Sequence, residues 1–230
     1  MTSSPYVATP VPTSDRPGPW PGVVVVHDVF GAGDDMREQA DWLAAAGYVA
    51  VLPDLYDGRR AIACVKGVFG QLSAQRGPVF DHVEAVRADL AARPDCTGTV
   101  GVIGYCMGGG FALLMAGRAG WSAASVNYGP VPKNLDEVLQ GACPVVASFG
   151  GADRGLPGAA GTLRAAAAAA GVTADVHEHP GARHGFINRH AVRSPLGPLL
   201  KVVGVGYDHD AAADAKRRIL AFFDTHLRQV

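Results

Sequence analysis

The chain is predicted to be of α/β class, a mostly parallel central sheet with helices on both faces. Three observations predict this. Val23-Val24-Val25-Val26 is a continuous β-branched run, the mark of a strand buried on both sides. Short runs of this kind alternate with Ala-rich stretches of helical period, the pattern that builds βαβ units. The 230 residues, 48% of them hydrophobic, suffice for a core that needs no covalent staple. That length suits a single domain over 1–230, of which 1–20 is a polar, proline-rich N-terminal segment.

After the valine strand, a helix is expected from Asp34 to Ala46, capped by Asp34 and ended by Gly47. Tyr48 to Leu52 reads as a strand stopped by Pro53. A helix starting at Asp81 has Glu84 three residues on, as in a capping box. Its Val83, Val86 and Leu90 share one face, and Pro94 ends it. Thr99–Ile103 is a strand and Gly108–Arg118 a helix; Ser122–Tyr128 and Pro144–Phe149 are further strands. Gly158–Ala170 is a helix closed by Gly171, Val172–Glu178 a strand, and Asp210–Leu227 the last helix. Two segments break the alternation. Arg59–Pro78 holds apolar residues without a clear period, and Gly185–Asp208 is too long for an ordinary connection. Long connections at strand carboxyl ends line or cover sites, although a surface excursion or subunit contact fits as well.

Composition narrows the function. A net charge of −1 argues against nucleic-acid binding. No apolar run reaches the ~18 residues of a membrane span, and the first 20 residues lack the apolar stretch of a signal peptide. Cys64, Cys96, Cys106 and Cys143 form no CxxC pair, which suits free thiols in a reducing compartment. A soluble cytoplasmic chain, monomer or homodimer, is the expectation.

Gly104-Tyr105-Cys106-Met107-Gly108-Gly109 follows one strand and opens one helix, the context of a nucleophile elbow. Small residues two before and two after Cys106 let strand and helix pass closely. The helix N-terminus and the free Met107 N–H favour a thiolate there. A buried structural cysteine in a Gly-rich turn is the plainer alternative. A thiol nucleophile needs a base, and the base an orienting acid. Asp153 follows the Pro144–Phe149 strand and His184 the next one, so nucleophile, acid and base fall in order on three strand-end loops. His177 and His179 share one strand face. Without a third ligand nearby, they read as an exposed polar face, and no metal is expected. The oxyanion's second donor falls in His27-Asp28-Val29-Phe30-Gly31, as Val29 N–H beside Met107 N–H. Asp28 would lie next to the thiol, as a modulating carboxylate or only as a strand-end cap.

These residues resemble the dienelactone hydrolase (carboxymethylenebutenolidase) family of the α/β-hydrolase superfamily, from about Pro21 to Leu227. The likeness is carried by Asp28-Val29-Phe30-Gly31, the cysteine elbow, Asp153 with Pro157, His184-Gly185-Phe186, and the last helix with Phe222-Phe223 and His226-Leu227. The resemblance implies an α/β-hydrolase fold, with Cys106 as nucleophile, His184 as base and Asp153 as its orienter. Two positions depart from the family. Asp28 stands where the family has glutamate, and Asn188 where it has a substrate-binding arginine, with Arg189 next to it. Candidate substrate contacts are Tyr105, Phe186, Arg189 and, in the variable segment, Arg59, Arg60 or Arg76. The chemistry implied is hydrolysis of an activated ester or enol-lactone through an acyl-thioester, without a cofactor. A general carboxylesterase or thioesterase, or a non-catalytic ligand-binding scaffold, stays open. A dinucleotide-binding reading of Gly31-Ala32-Gly33 fails at Met36, where the third glycine belongs.

Overall fold

The computed structural model describes residues 3–14, 17–189 and 204–228. In chain order its elements are β1 (Tyr6–Ala8), β2 (Trp20–Val26), α1 (Asp34–Ala45), β3 (Val49–Leu52), α2 (Ala61–Ala74), α3 (Pro78–Ala91) and β4 (Cys96–Tyr105). There follow α4 (Met107–Ala116), β5 (Ala123–Asn127), α5 (Leu135–Val138), β6 (Val145–Gly150), α6 (Ala159–Ala169), β7 (Ala174–His179) and α7 (His209–Leu227). The strands make one seven-stranded sheet of order β1-β3-β2-β4-β5-β6-β7. Only β1 runs antiparallel, against β3; the other pairings are parallel.

Each face of the sheet has its own core. Val24, Val26, Val102 and Val126 pack under α2 to α6, with Phe80 and Phe111 among them. Their strand neighbours Val23, Val25, Ile103 and Tyr105 point the opposite way, under Met36 and Leu43 of α1 and Ile219 and Phe223 of α7. This is the period-2 alternation of a sheet covered on both sides. From β2 the chain runs outward to β3, then returns to place β4 on the other flank of β2. The crevice at the carboxyl ends of β2 and β4 is therefore a topological switch point, where open α/β sheets bind ligands.

Local starts and stops differ from expectation in instructive ways. Helix α3 begins at Pro78 after Gly77, with proline in its first turn and no side-chain cap. Glu84 makes no capping box; it accepts from Arg87 Nε at 3.2 Å and from Trp121 Nε1 at 3.1 Å. Gly33, not Asp34, is the N-cap of α1, and Asp34 instead sits in its first turn, where a carboxylate favours the helix dipole. The aperiodic segment Arg59–Pro78 contains α2, whose Cys64, Val68 and Leu72 form a narrow buried stripe while Ile62 and Phe69 stay exposed. Within the N-terminal segment, β1 joins the sheet as an edge strand. Of the Gly185–Asp208 connection, residues 190–203 lie outside the described residues. Its two ends are tied together: Gly206 N–H donates to His184 O at 3.1 Å and Asp208 N–H to Phe186 O at 3.0 Å.

Candidate active site

The turn from β4 into α4 carries Cys106 at φ 53°, ψ −117°, a left-handed backbone that a non-glycine residue rarely adopts. The surrounding glycines make the turn possible. A Cβ on Gly104 would lie 1.9 Å from Gly108 O, and one on Gly108 only 2.1 Å from Val26 O. Cys106 N–H donates to Asn127 O at 3.0 Å, and the Asn127 amide donates to Gly104 O at 3.1 Å, which locks the turn against β5. Met107 N–H opens the helix and so has no partner within it.

His184 Nδ1 donates to Asp153 Oδ2 at 2.7 Å, and the Cys106 side chain acts on the same ring electrostatically. With Nδ1 committed to the carboxylate, Nε2 is left for the sulfur. Burial pulls the imidazole pKa down. The hydrogen bond His184 donates to Asp153 and the influence of Cys106 and of the Asp153 charge outweigh it and raise the value to about 10. Asp153 is nearly buried. Desolvation pushes its carboxyl up, but His184 and the N–H groups of Gly155 and Leu156 hold it below the usual range. Tyr128, fully buried and itself at φ 40°, supports the imidazole edge-on at 5.3 Å between centroids.

The loop after β2 starts against the elbow, where a Cβ on Gly108 would lie 2.6 Å from His27 O, and hydrogen bonds pin it. His27, wholly buried, donates from Nδ1 to Asp28 O at 2.6 Å and accepts at Nε2 from Leu55 N–H at 3.1 Å. Burial lowers its pKa, in keeping with a neutral ring of fixed tautomer. Tyr56 Oη donates to Val29 O at 3.0 Å. Among the described residues, Val29 N–H donates to no protein acceptor. Asp28 is buried; it accepts from Phe30 N–H at 2.9 Å and from Asn188 Nδ2 at 3.2 Å. Burial first, then the charges of Asp28, Cys64 and Cys106, push the Tyr56 phenol up.

Several expected contacts fall elsewhere. Tyr105 is fully buried on the α1/α7 face, its hydroxyl 3.4 Å from Gln39 Oε1, because strand alternation turns it away from the elbow. Phe186 is equally buried, between Tyr128 and His179. Both side chains are enclosed in the core. Arg189 stacks over Tyr207 at 5.2 Å and lines a hollow with Lys216 and Glu38, apart from His184. Arg76 lies exposed just beyond α2. The hollow that His184 and Asp153 do line also holds Arg154 and Arg183. His177 and His179 do not form an open face: both approach Asp214 of α7, His179 being 4% exposed and His177 half-buried. The supporting roles of His27, Asn127, Tyr128 and Asn188 were not foreseen. All four lie on loops or strand ends at the same sheet edge as the elbow, the one sequence signal that could have found them.

The model of the dienelactone hydrolase family matches residues 6–227. Carboxymethylenebutenolidases of Pseudomonas putida and of Pseudomonas knackmussii are each 30% identical over 221 residues, covering 91% of this chain and 87% of theirs. A crystal structure from Klebsiella pneumoniae subsp. pneumoniae superposes with a TM-score of 0.78 at 26% identity, over 96% of this chain and 92% of that one. A dienelactone hydrolase-like promiscuous phosphotriesterase from metagenomic libraries superposes at 0.73 with 21% identity, over 97% and 99%.

Proposed function

Since the chain belongs to the dienelactone hydrolase family and has its α/β-hydrolase fold, we propose that it hydrolyses an activated ester or enol-lactone through a thioester on Cys106. The hydrogen-bonded pair Asp153–His184, whose ring the Cys106 side chain also acts on, together with the sulfur at a strained helix N-terminus, supports this reading.

The chemistry follows from the geometry. With an imidazole pKa of about 10, His184 supplies the cationic partner that the Cys106 sulfur needs when it reacts as the nucleophile. The sulfur attacks the carbonyl carbon, and the displaced electron pair moves to oxygen between the N–H groups of Val29 and Met107. Loss of one such donor costs about 2.7–4 kcal/mol of transition-state stabilisation. Collapse expels the enolate, which takes the His184 proton. The now neutral imidazole removes a proton from water, the hydroxide attacks the thioester, and collapse frees the acid and restores thiolate and imidazolium. Thiolate leaves more readily than an alkoxide, so attack on an ordinary alkyl ester reverts. An enolate is stabilised, and the partition runs forward.

Ring-opening of a dienelactone, followed by absorbance with p-nitrophenyl acetate as control, tests this reading. Turnover of the lactone abolished by Cys106→Ala is expected. Cleavage of the control alone, still Cys106-dependent, moves the substrate class to other esters, and activity indifferent to Cys106→Ala overturns the mechanism.

A further inference from the structure

We propose that His177, His179 and Asp214 form a binding site for a divalent transition-metal ion of the zinc type, clipping edge strand β7 to helix α7. One candidate ligand atom from each residue lies within 4.8 Å of the other two. His177 Nε2 is 4.0 Å and His179 Nδ1 3.9 Å from Asp214 Oδ2. Tetrahedral zinc with ligands at ~2.0–2.1 Å separates them by about 3.3 Å, so the two edges to Asp214 close by roughly 0.6–0.7 Å and the third by at most about 1.5 Å. Two imidazoles and one carboxylate suit zinc and its neighbours better than calcium or magnesium, and leave a fourth position for water.

The sequence hides this site because the two histidines stand at i, i+2 on β7 while the carboxylate arrives on α7. The surroundings support it. Arg218 Nε donates to Asp214 Oδ2 at 2.8 Å and Arg217 binds the other oxygen, which orients the carboxylate and leaves it lone pairs. Arg218 is shared with Asp175, whose oxygens lie 3.3 and 3.4 Å from its Nη1, so it does not neutralise Asp214 alone. The two imidazole rings pack edge-to-face at 4.5 Å between centroids, and Phe186 backs His179 at 4.9 Å. None of the three residues belongs to the proposed hydrolytic machinery, so the clip stands or falls independently of it.

Calorimetric titration of Zn2+ into the full chain carrying Cys106→Ser, which removes the partly exposed thiol of the elbow, tests the site. One saturable equivalent is expected, with affinity at least tenfold weaker in His177→Gln and in Asp214→Asn. His177 is only half-buried, so its variant decides the matter should Asp214→Asn not fold. Excess Zn2+ is expected to raise the Tm of the otherwise native chain and to leave that of His177→Gln unchanged. The Co2+ adduct should lack a sulfur-to-cobalt charge-transfer band. Absence of saturable binding, unchanged affinity in either folded variant, or a thiolate band overturns the proposal.

Discussion

Against the pull of burial, Asp153 and Cys106 together raise the His184 imidazole, and the carboxylate can be removed separately. Removing the Asp153 charge with Asp153→Asn deletes a hydrogen bond and an attraction that raise the imidazole. The alkaline limb of kcat/KM, expected near pH 10 in the native chain, should therefore move to lower pH in the variant, with kcat falling at its plateau. Stability is linked with the same sign. A group raised from 6.5 to about 10 stabilises the fold fully below the unfolded value and loses that contribution as pH rises through the folded one. Urea midpoints should thus decline between about pH 6.5 and 10, and less steeply in His184→Gln. Asn188→Ala removes the Nδ2 donor from buried Asp28. Such a loss of a partner costs about 1–3 kcal/mol, measurable as a lower urea midpoint at unchanged m-value. At this scale the sequence was informative where chain order and turn chemistry speak, at Cys106, Asp153 and His184. It was silent on orientation: Tyr105 and Phe186 adjoin site motifs, but strand alternation and aromatic packing turn both inward.

Among the elements, the elbow is the least forgiving. Gly108→Ala drives a methyl to within 2.1 Å of Val26 O and 2.6 Å of His27 O, backbone atoms that cannot swing aside. A loss of about 3 kcal/mol or more is expected by urea denaturation, together with lost activity, because the strand that must yield carries the Val29 loop. Buried elements with full apolar runs or strong amphipathic stripes were legible. Helix α2 was not, since its buried stripe is narrow and its exposed side is also apolar. The start of α3 was misplaced because glycine and proline set it where an acidic pair three residues on mimicked a cap. Strand β1 is three residues in a proline-rich stretch, visible only through its pairing with β3.

Across the whole molecule, the last helix closes the second core. Phe223, wholly buried, meets Tyr48 edge-on at 6.0 Å between centroids, and Phe223→Ala is expected to cost about 3–5 kcal/mol in urea unfolding. The parallel sheet and its covered faces were legible from alternation alone. Its strand order was not, because nothing local states that β4 returns to the far side of β2. That return has a consequence for biosynthesis. Strands β2 and β4, the elbow and the Val29 loop are all encoded within the first 109 residues, whereas Asp153 and His184 follow much later. A ribosome-bound chain therefore displays its cysteine well before the groups that charge and orient its partner have been translated. On the mechanism proposed above, the sulfur lacks its imidazolium counter-ion throughout that interval, which would spare the nascent polypeptide a premature electrophile trap.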